Sequence, residues 1–372
     1  MNFSYWEQYE LIQAADYLII GAGITGLSTA LHLKRAESHK RVVILERGML
    51  PWGASTRNAG FACFGSVGEL VMDLKHHSKA EVLELVKMRK AGLELLKSLV
   101  GHRIDYEPCG NYELFDSSEQ KQWQQLKAEI PQINQLLKGV FDKPVFEESK
   151  TEFGFSGVQG MIYNRYEGML NTGKMMQALL ILVQQAGVTL LNGARVQKYS
   201  EQPNRVVVQL ANGLTISADK VLLCTNAFSK DLLKMEALSP ARNQVLITKP
   251  IENLKFQGAF HAENGHLYFR TVGQRVLIGG GRQHFAAEQN TTELKITKQV
   301  QDYLEEKLRQ VILPEQPFEV DHRWAGIIAL GTKKTPLIEQ LSERIYAGVR
   351  LGGMGVALGS LVGQRLAALA AK

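Results

Sequence analysis

A glycine-rich turn between two apolar segments places the strongest constraint on the fold of this chain. Residues 17–20, YLII, are followed directly by the turn Gly21-Ala22-Gly23-Ile24-Thr25-Gly26. A stretch with apolar residues at helical spacing comes next, and a second apolar segment runs from Val42 to Leu45. This order predicts a β-strand, a tight turn, an α-helix and a parallel strand, which together form the βαβ unit that binds dinucleotides.

The glycines and one acid of this unit have separate chemical roles. Gly21 allows the tight exit from the strand, Gly23 lets the backbone approach a pyrophosphate, and Gly26 lets the helix pack close to the sheet. The helix N-terminus then points unpaired N–H groups at the phosphates. Glu46 lies 20 residues beyond Gly26, where its carboxylate can accept hydrogen bonds from both ribose hydroxyls. The unit predicts a dinucleotide, and on its own it leaves FAD and NAD open.

The composition is that of a globular protein with a weak basic excess. The 372 residues suffice for two domains. The net charge of +6 is spread along the chain, without a Lys/Arg block interleaved with aromatic residues, so we expect no nucleic-acid partner. The three cysteines are too few and too far apart for a disulfide framework or a zinc site. We therefore predict no metal site and a reducing compartment.

The start of the chain and its hydropathy bear on location. Residues 1–13 contain two glutamates and no basic segment, so no secretory signal is predicted. No run of about 18 apolar residues occurs, so no membrane span is expected. These features predict a cytoplasmic protein.

Secondary-structure patterns along the chain predict two interleaved domains. Apolar residues at helical spacing from 69 to 99 predict helices there, and a further helix is predicted over 119–137, broken at Pro131. These helices interrupt the dinucleotide-binding fold. A β-meander over 242–281 interrupts it again. No internal repeat or low-complexity linker separates the parts, so the second domain is expected as two insertions.

Three features beyond the βαβ unit favour FAD over NAD. Residues 48–68 form a long glycine-rich loop at the point where an NAD-binding domain usually continues with further βαβ units. Residues 221–227, VLLCTNA, have the pattern of a buried strand with a small polar exit. Gly352, Gly353 and Gly355 precede a final helix, whose N-terminus can stabilise negative charge on the N1 edge of a reduced flavin.

Five motifs and a final turn follow one another over nearly the whole chain. They are GAGITGL, ILERG, GASTRNAGF, CTNAF and RWAGI, and then the glycine-rich turn ahead of the last helix. This order resembles the D-amino-acid oxidase superfamily of FAD-dependent oxidoreductases, with the glycine, sarcosine and γ-glutamylputrescine oxidase branches closest in pattern. The resemblance implies oxidation of a C–N bond by hydride transfer to flavin N5.

The same resemblance implies the fold class and its division into domains. The expected fold is α/β, with a Rossmann-like FAD-binding domain of the glutathione-reductase type and a mixed-sheet α+β substrate domain. We assign residues 1–70, 156–240 and 320–372 to the FAD-binding domain. Residues 71–155 and 241–319 are assigned to the substrate domain.

The resemblance also implies which residues hold the cofactor. For the ADP half they are Gly21, Ala22, Gly23, Ile24, Thr25, Gly26, Glu46 and Arg47, with the backbone of Val196 at the adenine and Thr225 and Asn226 beneath the pyrophosphate. Along the ribityl chain and flavin ring they are Ser55, Thr56, Arg57, Asn58, Ala59, Gly60 and Phe61. At the flavin edge they are Gly326, Arg350, Gly352, Gly353, Met354 and Gly355. The cysteine and histidine through which relatives attach the flavin are both absent, so FAD is expected to be non-covalent.

Amine oxidation by hydride transfer requires groups that orient the substrate more than it requires acid–base residues. Tyr268 and Arg270 alternate on a predicted strand and therefore point to one face. Arg270 could bind a substrate carboxylate through two N–H donors. Arg323, which begins the strand leading to the flavin, is the third catalytic candidate.

Two departures from the family pattern leave the substrate and the electron acceptor open. Residues 327–331, IIALG, occupy the place where the glycine oxidase branch carries an arginine for the amino-acid carboxylate. Leu277 and Ile278 occupy the place where the sarcosine oxidase branch carries a lysine associated with oxygen activation. The expected substrate is a small amine, or an amino acid held by Arg270 or Arg350, and the acceptor is O₂ or another oxidant.

Three other functions stay open on the sequence alone. The first is a flavin enzyme acting on a larger modified substrate, of the tRNA-modifying type, against which the weak basic excess argues mildly. The second is an NAD-dependent dehydrogenase, which would be colourless when purified. The third is a flavoprotein retained as a binding or assembly module, whose flavin no amine would reduce.

Overall fold

The computed structural model describes residues 4–7, 10, 12, 14–233 and 238–372. Within these residues the helices are α1 Ile24–Ala36, α2 Val67–His76, α3 Lys79–Val100, α4 Gln120–Leu137, α5 Thr172–Gln185, α6 Ala286–Gln289, α7 Lys298–Lys307 and α8 Gly355–Ala370. The strands are β1 Ala15–Ile20, β2 Val42–Leu45, β3 Phe61–Ala62, β4 Asn111–Asp116, β5 Phe146–Ser149, β6 Val158–Asn164, β7 Gly168–Met169, β8 Thr189–Leu191, β9 Val196–Gln202, β10 Arg205–Leu210, β11 Thr215–Leu223, β12 Ser239–Thr248, β13 Ala259–Ala262, β14 Leu267–Val272, β15 Arg275–Gly280, β16 Val320–Leu330, β17 Leu337–Gln340 and β18 Ile345–Val349.

The first sheet is built around the predicted βαβ unit, which the structure confirms. Its strands lie in the order β17-β18-β11-β1-β2-β8, with β10 and β9 added beside β11. The pairs β1–β2, β1–β11, β2–β8 and β11–β18 are parallel. Leu18 in the middle of β1 is fully buried between Val43 and Val221, as expected for a strand covered on both faces.

Helices α1 and α8 cover the same face of this sheet and pack closely on each other. Small residues allow this approach. A Cβ on Gly359 would lie 2.7 Å from Ile24 Cγ2, and a Cβ on Gly363 would lie 2.6 Å from Ser28 Cβ. The first helix of the βαβ unit is therefore supported by the last helix in chain order.

The second sheet is mixed, as predicted. Its strands lie in the order β16-β12-β15-β14-β13-β4-β6-β5, and only the β13–β4 pair is parallel among its ladders. On one face Phe260 and Phe269 stack with ring centroids 4.8 Å apart, in a core completed by α7. The opposite face turns towards the residues that follow β2, and the α/β class with a second mixed sheet is confirmed.

Sheet membership differs in two places from the predicted division into domains. Strands β6 and β16 both pair within the second sheet, although residues 156–164 and 320–330 were assigned to the FAD-binding domain. The domain boundaries themselves stay a prediction.

The predicted break at Pro131 is wrong. Helix α4 continues through this residue to Leu137. Ile130 and Ile133, on either side of the proline, are buried on one face of the helix. We attribute the continuity to this packing, which offsets the backbone hydrogen bond that proline cannot donate.

Candidate active site

Two adjoining cavities lie between the sheets. The strand-end cavity, about 170 Å³, is at the carboxyl ends of the parallel strands and is lined by Gly21, Glu46, Ser55 and Thr225 among others. The sheet-face cavity, about 390 Å³, lies over the second sheet and is lined by Phe61, Tyr268 and Gly326 among others. The residues that line both cavities, and so mark where they meet, are Ala54, Asn58, Ile328, Leu351, Gly352, Gly353 and Val356.

Glu46 is fixed at the end of β2. Its Oε2 accepts a hydrogen bond from the Ala22 N–H at 3.0 Å, and its Oε1 accepts one from the Gly48 N–H at 3.0 Å. The side chain is buried, and it lines the strand-end cavity. The carboxylate thus ties the glycine turn to the loop after β2, with acceptor lone pairs remaining for a ligand.

The N-terminus of α1 opens onto the same cavity. Gly23 precedes the helix and supplies no capping side chain, while Ser55 Oγ accepts from the Ile24 N–H at 3.0 Å. A Cβ on Gly23 would lie 2.9 Å from Ser55 Oγ. The first turn carries no acidic residue, so the positive end of the helix dipole has no carboxylate of its own and suits a phosphate group.

The turn before α8 is held by one amide side chain. Asn226 Oδ1 accepts from the N–H groups of Arg350, at 3.1 Å, and Leu351, at 3.3 Å. The Arg350 side chain donates instead to the Thr335 carbonyl at 3.0 Å and lines neither cavity. A Cβ on Gly353 would meet nothing within 4 Å, so this part of the turn faces open space where the cavities meet.

A row of side chains crosses the second sheet beneath the sheet-face cavity. Directly opposed residues on neighbouring strands point to the same face. Gly279 leaves space for the aromatic ring of Tyr268, whose hydroxyl lies 2.8 Å from where a Cβ on Gly279 would be. Phe61 meets the Tyr268 ring edge-on with centroids 5.6 Å apart. From the apolar end to the polar end, the row is Trp324, Val245, Gly279, Tyr268, His261 and Glu113.

The polar end of this row belongs to a buried hydrogen-bond network. Glu167 accepts from the Phe64 N–H at 2.7 Å and the Gly65 N–H at 3.1 Å, and from Asn111 Nδ2 at 2.9 Å. Asn111 Oδ1 lies 3.1 Å from His261 Nδ1. With Glu167 ionised, the amide oxygen of Asn111 faces the histidine, so His261 Nδ1 carries the hydrogen. The network fixes the loop that leads from β3 to α2.

Burial controls the ionisation of this network. It raises the pKa of Glu113 to about 7, against hydrogen bonds from Ser66 and Gly68 that lower it. It likewise raises the pKa of Glu167 to about 7 and lowers the pKa of His261 to about 4. His261 is therefore neutral at neutral pH, and the two carboxyls titrate near neutrality.

Most predicted cofactor residues line one of the two cavities. Those at the strand-end cavity are Gly21, Gly23, Ile24, Thr25, Glu46, Arg47, Ser55, Val196, Thr225, Asn226 and Gly355; those at the sheet-face cavity are Arg57, Ala59, Phe61, Gly326 and Met354; and those at both are Asn58, Gly352 and Gly353. The predicted residues that line neither are Ala22, Gly26, Thr56, Gly60 and Arg350. Ala22, Gly26 and Gly60 have backbone or packing roles, and Thr56 donates its hydroxyl hydrogen to the Pro51 carbonyl at 2.7 Å.

The structure brings one of the three catalytic candidates to a cavity. Tyr268 lines the sheet-face cavity, whereas Arg270 lies beneath the loop after β2, with Cζ 3.2 Å from where a Cβ on Gly60 would be. Arg323 lies on the other face of β16, where it donates to Gln301 at 2.8 Å and Glu305 at 2.7 Å. Neighbouring residues on a strand point to opposite faces, so Trp324 faces the cavity side and Arg323 does not.

Several cavity residues were missed on the sequence. They include Asn111, Glu167, His261 and Arg282. One signal was present for Asn111, since it shares one face of the strand NYELFD with the buried acid Glu113, two residues further on. No local pattern marks Glu167 or His261, because their partners are distant in the sequence.

Known proteins that are similar to this chain are FAD-dependent oxidoreductases, in agreement with the fold and the cavities. A family model described as "FAD dependent oxidoreductase" matches residues 16–369. Gamma-glutamylputrescine oxidoreductase of Escherichia coli strain K12 is 24% identical to this chain over an alignment of 375 positions, which covers 95% of this chain and 83% of that protein.

Two solved structures share the fold. Glycine oxidase from Geobacillus kaustophilus has a TM-score of 0.77 at 19% identity, over 96% of this chain and 95% of that chain. L-proline dehydrogenase from P. horikoshii has a TM-score of 0.74 at 19% identity, over 96% of this chain and 93% of that chain.

The structure has a parallel sheet with a glycine turn, a mixed sheet, and two adjoining cavities between them. Together with the relatives, this architecture indicates a flavin-dependent enzyme of the amine and amino-acid oxidase type. The chain belongs to the D-amino-acid oxidase family of FAD-dependent oxidoreductases. In the part of the chain that the structure describes, no helix has the length and apolar composition needed to cross a membrane.

The residues present fit FAD. The strand-end cavity combines a helix N-terminus without its own acid, a fixed carboxylate at the end of β2 and a glycine turn, which suit the pyrophosphate and ribose of the ADP half. Open space at Gly353, just before α8, suits the flavin half.

Proposed function

We propose that this enzyme oxidises the C–N bond of a small amine or amino acid to an imine, which then hydrolyses. The proposal rests chiefly on the contact between the two cavities at Asn58 and at the turn formed by Gly352 and Gly353. A cavity of about 390 Å³ at that turn suits a small substrate, which would then lie against the proposed flavin-binding region.

In this proposal the strand-end cavity holds the ADP half through Gly23, Ser55 and Glu46. Asn58 and the turn at Gly352 and Gly353 hold the flavin half. FAD, when bound, supplies the acceptor at N5 for the hydride that leaves the substrate carbon. We propose non-covalent binding, since Cys63, a cysteine at this end of the sheet-face cavity, has a pKa that burial raises well above its usual value.

The protein's own side chains shape the reaction space. Phe61 and Tyr268 supply an apolar, aromatic wall that excludes water from the reacting carbon. A neutral His261 beside Tyr268 adds no positive charge to repel a protonated amine as it enters. The wall orients the substrate and leaves the chemical step to the cofactor.

Anaerobic reduction of the flavin tests the proposal. The purified holoenzyme is mixed with primary amines, secondary amines and amino acids, and the flavin absorption band is followed. We expect bleaching with at least one amine, together with an aldehyde or keto product, and none with the alcohol of the same carbon skeleton. Air is admitted afterwards, because rapid return of colour identifies an oxidase and slow return identifies a dehydrogenase.

A matched pair of variants locates the reaction. Tyr268→Ala removes the wall of the sheet-face cavity and should lower kcat/KM for the reducing amine at least tenfold. Arg323→Gln alters the opposite face of the same sheet and should leave kcat/KM within about twofold, since Arg323 lines neither cavity and binds Gln301 and Glu305 on that opposite face. A colourless protein stabilised by NAD, or normal FAD that no amine bleaches, would contradict the proposed function.

A further inference from the structure

We propose that Arg282 binds an anionic group at the end of the substrate remote from the flavin, so that the sheet-face cavity selects amines whose carboxylate is separated from the oxidised carbon by a short chain. The inference names a substrate class for the proposed function and rests on it.

The arginine and lysine side chains at the cavity differ in whether they are already paired. Arg89 donates to Glu69 at 2.9 Å and to the Phe64 carbonyl at 2.6 Å. Lys334 contacts Glu69 at 3.1 Å and Asp73 at 2.6 Å. Arg57 donates to the Ala325 carbonyl at 3.0 Å. Among the described residues, Arg282 has no hydrogen bond, ion pair or ring contact.

The surroundings of Arg282 do not neutralise it. Burial lowers its pKa, but a guanidinium keeps its charge at neutral pH, so the site carries a positive charge without a counter-ion. Glu263, a nearby acid, is already bound by Lys307 at 2.8 Å and by Tyr303 at 2.6 Å. His266 supplies no counter-charge either: burial lowers its pKa, and Arg282 lowers it further, so the imidazole is neutral at neutral pH. A bound anion would supply the missing partner.

The strand register places Arg282 away from the flavin side. Along β14, Arg270 lies beneath Gly60 and Tyr268 contacts Phe61, so the loop that carries the flavin-binding residues covers this part of the strand. His266 lies two residues before Tyr268, or about 7 Å in the opposite direction. The Gly281 N–H donates to the His266 carbonyl at 3.1 Å, which puts Arg282 at that far end.

This separation sets the kind of substrate. A carboxylate on the oxidised carbon itself would stay at the flavin end, where Phe61, Tyr268, Gly326 and Ile328 offer no cation and the Arg57 guanidinium is already hydrogen-bonded to the Ala325 carbonyl. A carboxylate at the end of a short chain can extend along β14 to Arg282. The expected class is therefore an ω-amino or ω-alkylamino carboxylate rather than an α-amino acid.

A binding experiment tests the anion site without turnover. Butanoate, which cannot be oxidised as an amine, is titrated into the holoenzyme and followed through the flavin spectrum. We expect saturable binding whose Kd rises ten- to a hundredfold in Arg282→Gln, as for loss of a charged hydrogen bond. Arg282→Lys should fall between, because it keeps the charge but loses the two-pronged geometry.

A substrate pair tests selectivity. The ratio of kcat/KM for 4-(methylamino)butanoate to that for N-methylbutylamine should be large in the wild type and should fall at least tenfold in Arg282→Gln. Sarcosine, whose carboxylate is one carbon from the nitrogen, should show little dependence on Arg282. Arg309→Gln removes an equal charge from an exposed ion pair outside both cavities and should leave the ratio unchanged.

The outcomes separate this inference from the proposed function. Butanoate binding that depends on Arg282, in an enzyme whose flavin no amine bleaches, keeps the anion site and contradicts amine oxidation. Amine oxidation in which Arg282→Gln leaves both the butanoate Kd and the substrate ratio unchanged overturns the anion site. Absence of butanoate binding in the wild type overturns it as well. If Arg282→Gln does not fold, Arg282→Lys and the substrate series on the wild type decide the matter.

Discussion

The two cavities differ in what their walls are made of. The strand-end cavity is lined largely by backbone and small residues from a few short segments, and its specific contacts are backbone N–H groups held by Glu46 and Ser55. The sheet-face cavity is lined by side chains from many separate strands and turns, including His261, Glu167 and Arg282. The shape of the strand-end cavity therefore depends mainly on the backbone, and that of the sheet-face cavity depends mainly on side chains.

This difference suits the separate tasks that we propose for the two cavities. A cofactor shared by a whole family can be held by glycine turns and a helix N-terminus, which depend on backbone shape. A substrate that differs between members needs side chains that can be exchanged without changing the backbone. The unpaired Arg282 belongs to the second kind of wall.

The largest effect is expected where the strand-end cavity depends on backbone contact. A Cβ on Gly26 would lie 1.9 Å from the Gly21 carbonyl oxygen. Gly26→Ala should therefore lower the free energy of unfolding by more than about 4 kcal/mol and abolish FAD binding. Urea denaturation and the flavin content of the purified protein measure both effects.

Gly353→Ala is the matched control for that change. Its Cβ would meet no protein atom within 4 Å, so the stability of the apoprotein should stay within about 0.5 kcal/mol of the wild type. If the turn faces the flavin, as proposed, the affinity for FAD should nevertheless fall. Equal losses of stability in the two variants would contradict the backbone account of this wall.

A smaller effect is expected from the buried network at the sheet-face cavity. Glu167→Ala leaves the N–H groups of Phe64 and Gly65 without their acceptor, at a cost of about 3 kcal/mol in the free energy of unfolding. Glu167→Gln keeps one carbonyl oxygen for these donors and should cost less than half as much. Denaturant unfolding of the two variants side by side is the measurement; equal losses would show that the hydrogen bonds are not what the glutamate contributes.

The smallest effect is a dependence of stability on pH. The pKa of Glu113 and of Glu167 is raised from 4.5 to about 7 in the folded state, so their contribution to stability is full below about pH 4.5, falls as pH rises from there, and is lost once pH has passed through 7. His261, with its pKa lowered to about 4, acts in the opposite direction, but only below about pH 6.5, where the unfolded chain takes up the proton. Between pH 6.5 and 8 the two carboxyls therefore determine whether the free energy of unfolding rises or falls with pH.

We expect the free energy of unfolding to fall by about 1 kcal/mol per carboxyl between pH 6.5 and pH 8. Glu113→Gln should remove the part of this fall that is due to Glu113, so that the free energy of unfolding depends less on pH. Urea denaturation at the two pH values measures the difference. A slope in the variant equal to that of the wild type would exclude Glu113 as its source.

The contrast between the walls also explains what could be predicted from the sequence. The βαβ unit and the final glycine turn follow from local patterns, and the mixed second sheet follows from the family resemblance; the structure confirms these elements. Alternation correctly placed Tyr268 and Arg270 on one face of β14. It could not show that the loop at Gly60 covers Arg270 while leaving Tyr268 at the cavity, because that depends on packing between distant segments.

The network around His261 was beyond the reach of sequence patterns for the same reason. His261 and Asn111 are separated by 150 positions and meet only because β13 pairs in parallel with β4. Arg282 gave no signal, since what distinguishes it from the other arginines and the lysine that line the sheet-face cavity is the lack of a partner among the described residues. A residue's partners are a property of the folded chain, and the sequence does not state them.

The packing of α8 on α1 has a consequence for the order in which the molecule is made. During synthesis the βαβ unit emerges first, but its helix is supported by Gly359 and Gly363, and the turn at Gly352 and Gly353 is added at the same late stage. Synthesis must therefore reach α8 before the proposed cofactor site is complete. We expect FAD to be loaded only after that point, so that a shortage of FAD would accumulate apoprotein in which α8 has already been made rather than shorter fragments.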